Sequence, residues 1–150
     1  MRISISSDHA GYDLKMQVAQ YLTKLGHEVL LGGAENSTEP YSYVEAGQKL
    51  AIDVTTAEAD RGIAICGTGI GISIVVNKYK GIRCGLCNNE YTARMCREHN
   101  DANVMAMGAR VVGSAVALAM VDEFLKTEFG GERHAVRVND IRNLEEELYK

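Results

Sequence analysis

The run Gly62-Ile63-Ala64-Ile65-Cys66 is apolar at nearly every position, and Gly67-Thr68-Gly69-Ile70-Gly71 comes directly after it. A strand with one wet face alternates polar and apolar residues, whereas a near-continuous apolar strand belongs in a parallel sheet covered on both sides. Parallel neighbours cannot be joined by tight hairpins, so the remaining chain has to supply crossover helices. It does so. Leu14, Val18, Leu22 and Leu25 recur at helical spacing and Gly26 closes the run. Further helices are expected from Val44 to about Thr56, Ile72 to Tyr79, Glu90 to Glu98 and Ser114 to Thr127. Strands are expected over 2–7, 28–31, 82–86 and 103–107. The predicted fold is α/β: a five-stranded parallel sheet with helices on both faces. Ligands of such sheets bind at the carboxyl ends of the strands, so the loops beginning at Ser7, Cys66 and Met107 are the places to look.

One domain spanning 1–150 is expected, because 150 residues with 46% hydrophobic content bury one core and hold no material for a second. A net charge of -4 gives no general attraction to nucleic acid. No apolar run approaches a membrane span, and Met1-Arg2-Ile3-Ser4-Ile5 enters a strand pattern without a signal-peptide core, so a cytoplasmic protein with reduced cysteines is expected. From Gly32 to Tyr43 the chain collects Gly, Asn, Ser, Thr and its one proline, forming its only long loop. After Gly130-Gly131 a last helix is expected from about His134 to Leu148, with Ile141, Leu144 and Leu148 on one stripe. That stripe has either its own core or a neighbouring chain to cover it.

Cys66 alone is a small hydrophobe finishing a buried strand. The loop after it changes the reading: glycines at 67, 69 and 71 let backbone N–H groups turn inward before a helix start, where the potential favours an anion. A dinucleotide loop is the rival, but the spacing is G-x-G-x-G and it comes after the third strand rather than the first. Cys84-Gly85-Leu86-Cys87 formally matches C-x-x-C, yet in a strand its two side chains face opposite ways and no second pair exists to complete a zinc site. Cys96, in mid-helix, is expected to pack. Arg133 and Arg137 lie four apart on one helical face, able to grip a phosphate with Arg110 joining them, or simply to be a solvated basic face. His9 and His99 lie in loops expected to converge on the rim around Cys66.

Taken together, Ser7-Asp8-His9-Ala10-Gly11, Ile65 to Ser73, Asn77-Lys78, Arg97 to Asn103 and Gly130 to His134 resemble the type B ribose-5-phosphate isomerase family, which includes allose- and galactose-6-phosphate isomerases. The resemblance spans essentially the whole chain. It implies a Rossmann-like three-layer fold whose terminal helix docks on a partner chain. It also implies a homodimer or tetramer with sites shared between chains, a sugar phosphate as substrate, and no metal or nucleotide cofactor. Cys66 would move a proton between the first two sugar carbons through an enediolate, with Thr68 shuttling protons on the oxygens and the loop N–H groups of Gly67, Gly69 and Gly71 holding the charge. His99 would open the furanose ring with Tyr43 nearby, and Asp8 and Asn100 would orient hydroxyls. The phosphate would fall to His9, Arg110, Arg133 and Arg137, with His134 a further candidate. One galactose-6-phosphate isomerase subunit lacks the cysteine and the other the Gly-Arg-His tail. This chain has both, so activity without a second kind of subunit is expected. Where many members have Asp-Tyr-Pro, this chain has Ser42-Tyr43-Val44, which leaves hexose phosphates as alternative substrates. A non-catalytic phosphosugar-binding module is the alternative from another class.

Overall fold

A computed structural model describes residues 1–150. The strands are β1 (Arg2–Ser7), β2 (Glu28–Gly33), β3 (Arg61–Cys66), β4 (Cys84–Leu86) and β5 (Val104–Gly108). The helices are α1 (Tyr12–Lys24), α2 (Tyr43–Thr55), α3 (Ile70–Val76), α4 (Glu90–Glu98), α5 (Ser114–Lys126) and α6 (Arg133–Leu148). All strands run parallel in the order β2-β1-β3-β5-β4, so β5 inserts between β3 and the short edge strand β4.

Period-two alternation splits the core into two layers. Ile3, Ile5, Ile63, Ile65, Met105 and Met107 face α1, α4 and α5, where Phe124 is the largest fully buried side chain. Ala64, Cys66, Val104 and Ala106 face α2 and α3. On this second face β1 presents serines, whose buried hydroxyls are satisfied by α2: Ser4 Oγ donates to Asp53 Oδ2 (2.7 Å) and Ser6 Oγ to the Ala46 carbonyl (2.7 Å).

The boundaries depart from expectation in a few places. β4 begins at Cys84, because the Ile82 N–H turns back to the Tyr79 carbonyl and the Arg83 N–H is taken by the Asn103 side chain. α3 starts at Ile70, as Gly69 adopts φ +79° and lets the helix begin two residues early. α6 packs against its own chain through Lys80–Glu146, Gly81 N–H to Glu145 and the Tyr149 hydroxyl to the Lys78 carbonyl. Val136, Ile141, Leu144 and Leu148 on it stay exposed. No helix is long and apolar enough to cross a membrane.

Candidate active site

Cys66 ends β3, with its sulfur buried and accepting the Gly69 N–H at 3.1 Å. The sharp turn that brings this N–H back is possible because Gly69 is left-handed, and a side chain there would strike Leu86 and the Met107 backbone. No acceptor within the chain takes the N–H groups of Gly67 and Thr68, which leaves them for a ligand oxygen. Thr68 Oγ1 accepts from the Ile70 N–H (3.2 Å), so its hydroxyl proton is free to donate into the crevice.

Four neighbours complete this rim. The Arg110 guanidinium lies over Gly67, where a Cβ would come within 3.2 Å of Nη1, and the Arg110 N–H holds the Gly67 carbonyl at 3.0 Å. The Tyr43 ring lies on Gly71, whose missing side chain makes room for it. Ser42 caps α2 by accepting the Val44 N–H (3.0 Å), the work an aspartate does equally well, so losing the usual Asp leaves Tyr43 anchored. His9 Nδ1 accepts the Tyr41 N–H at 3.1 Å, with the Tyr41 carbonyl farther off at 3.4 Å; this leaves Nε2–H as the outward donor. Asp8 is buried at the end of β1, its Oδ1 accepting the Gly11 N–H, and its own N–H joins the Ile65 carbonyl.

The remaining candidates sit elsewhere. His99 caps the C-terminus of α4, and the chain then runs through Asn100, Asp101 and Ala102 toward the start of β5. The start of α6 joins this group: the Gly130 N–H donates to the Glu98 carbonyl, and the His134 ring stacks on His99 with centroids 4.1 Å apart. Burial, then His99 and Arg133 beside it, hold His134 below its usual pKa. His99, Asn100, Arg133, His134 and Arg137 thus lie at the amino ends of the strands, while Cys66 lies at the carboxyl ends. A strand of five or six residues separates the two groups by roughly 17–20 Å. The expectation that His99 converges on the Cys66 rim is therefore corrected within one chain, as is a grip shared by Arg110 and the Arg133–Arg137 pair. The signal was present in the sequence: a crossover helix returns the chain to the amino edge, so the loop after α4 cannot reach the carboxyl edge.

Cys84 and Cys87 face opposite layers, Cys84 against the α2–α3 side and Cys87 within the α1–α4–α5 side, as the strand period required. No group of three or more His, Cys, Asp or Glu is placed to hold a metal ion. Burial pushes the Cys84 thiol well above its ordinary range. Arg97 and Asp101 lie within the Arg97–Asn103 segment that carries the resemblance, yet like Arg83 they had no role in it; in the fold all three surround the turn after His99.

The order of the sheet and the rim at its carboxyl edge define a Rossmann-like α/β domain that gathers a thiol, a hydroxyl, two free amides and a guanidinium at the end of β3. The chain belongs to the family described as Ribose/Galactose Isomerase, which matches residues 3–141. It is similar to ribose-5-phosphate isomerase B of Escherichia coli (strain K12), with 41% identity covering 97% of both chains. The solved structure of Clostridium thermocellum ribose-5-phosphate isomerase B superposes with a TM-score of 0.96 at 52% identity, covering 99% of each chain. That of Mycoplasma genitalium ribose-5-phosphate isomerase B with bound ribulose 5-phosphate gives 0.92 at 35% identity, covering 97% of each.

Proposed function

We propose that this protein interconverts ribose 5-phosphate and ribulose 5-phosphate, with Cys66 as the base. The observation that carries the reading is the Cys66 sulfur held by the Gly69 N–H, beside two free amides, the Thr68 hydroxyl and Arg110. In the aldose-to-ketose direction the Cys66 thiolate takes the proton from C2. The electron pair forms an enediolate whose oxygen charge meets the Gly67 and Thr68 amides. Thr68 passes a proton between O1 and O2, and the thiol returns its proton to C1, so the reaction is redox-neutral within one substrate. His9 and Arg110 bind the phosphate, while Asp8 orients a hydroxyl and Tyr43 borders the sugar.

Ring opening and the rest of the phosphate clamp come from a second copy. His99, Asn100, Arg133 and Arg137 lie a strand length from Cys66, so they serve a site only if another chain lays its amino edge against this carboxyl edge. The exposed apolar residues of α6 give that chain a surface to cover, which makes a homo-oligomer with shared sites the consistent assembly. Replacing Cys66 with alanine tests the base. Ribose 5-phosphate turnover should fall by about a thousandfold or more, and persistence at the wild-type rate would refute the assignment. Comparing kcat/KM across pentose and hexose phosphates decides between the ribose reading and a hexose 6-phosphate substrate.

A further inference from the structure

We propose that Asp101 is a positioning residue for ring opening, its carboxylate fixing the turn that presents His99 and Asn100. The proposal rests on the reading of His99 as the ring opener. Asp101 adopts φ +47°, a left-handed conformation that a non-glycine residue keeps only when its surroundings enforce it. Here two guanidinium groups do so. Arg97 Nη1 meets Oδ1 at 3.0 Å and Arg83 Nη2 meets Oδ2 at 3.1 Å, with Arg142 farther out at 3.8 Å. The same arginines also clamp the backbone on either side. Arg83 donates to the Asn100 and Asp101 carbonyls (2.9 and 2.8 Å), and Arg97 to the Ala102 carbonyl (2.7 Å).

The backbone of residues 100–102 is thus tied at three consecutive carbonyls, immediately after His99. Arg97 is buried, so its guanidinium needs the counter-charge that Asp101 supplies. His99 is held from the other side by the stacked His134 ring. Removing the Asp101 carboxylate frees the two guanidinium groups whose placement ties those carbonyls and so loosens the turn that carries the imidazole, whereas Cys66 and its loop, at the far end of the sheet, keep their own hydrogen bonds.

This separation gives a kinetic signature. Ring opening precedes removal of the C2 proton, so slowing it hides the isotope effect of deuterium at C2. Asp101→Gly removes the carboxylate and accepts the positive φ. It should lower kcat/KM for ribose 5-phosphate roughly ten- to a hundredfold and shrink the deuterium effect on kcat/KM below the wild-type value. Asp101→Asn keeps an acceptor and tolerates the same φ, and should recover part of the rate and of the isotope effect. An unchanged rate, a rate loss with an undiminished isotope effect, or failure of both variants to fold would overturn the proposal. His99→Asn separates it from the reading beneath it. If that variant keeps the full isotope effect, the ring-opening role of His99 fails, whatever Asp101 does.

Discussion

Gly108 ends β5 beneath the Thr68 backbone and carries no chemistry, so a methyl group added there perturbs the catalytic loop by geometry alone. A Cβ at 108 would lie 2.5, 2.6 and 2.7 Å from the Thr68 C, O and Cα atoms. Carbon atoms settle at about 3.5 Å, so the loop has to retreat by roughly 1 Å. A displacement of that size at a reacting centre costs on the order of a hundredfold in rate, or about 2.7 kcal/mol of transition-state stabilisation. The overpacking itself costs about 1–3 kcal/mol of stability, less than the 5–15 kcal/mol typical of a domain, so Gly108→Ala should still fold. The assay is kcat/KM for ribose 5-phosphate, run beside a thermal melt. Gly113→Ala is the control, because nothing lies within 4 Å of its Cβ position and its φ is -74°. A folded Gly108→Ala enzyme within twofold of wild type would refute the claim that loop placement governs the rate.

Phe124→Ala empties the largest buried side chain and should destabilise the fold by about 3–5 kcal/mol, read as a lower urea midpoint at constant m. Because burial raises the Cys84 pKa, that thiol carries little thiolate at pH 8, and peptide mass spectrometry after brief iodoacetamide treatment should find it unmodified until the protein is unfolded. Arg137→Ala removes an exposed cation from the α6 face and should raise KM for ribose 5-phosphate about tenfold with kcat within threefold, a pattern that steady-state kinetics reads directly.

The strand and helix sequence was legible because each element here carries its own period: the doubly buried β3 run, the Leu stripe of α1, the Gly-rich stop after Cys66. The insertion of β5 between β3 and β4 was not, since strand order depends on which edges pair and no local pattern encodes it. Cys66, Thr68 and the loop glycines were found because a strand-to-loop boundary is visible in the chain. Arg110 was grouped with the Arg133–Arg137 pair and Tyr43 was placed near His99 by the resemblance; that they lie instead against Gly67 and Gly71 was not legible, since those contacts join residues far apart in sequence. Asp101 had no role although its segment carried the resemblance, because its φ and its arginine partners exist only in three dimensions. The division of the candidate residues between the two sheet edges was deducible from crossover direction alone, and weighing each histidine by its loop instead of its edge obscured it.

A site divided between chains has a direct test in mixed oligomers. Cys66→Ala and His99→Asn are each expected to be deficient alone, one lacking the base and the other the ring opener. When the two are unfolded together and refolded at equal amounts, half of the dimers should be mixed, and each mixed dimer rebuilds one site with both groups intact. Activity toward ribose 5-phosphate should therefore return to about a quarter of wild type. Activity no higher than the mean of the two parent variants would contradict the shared site.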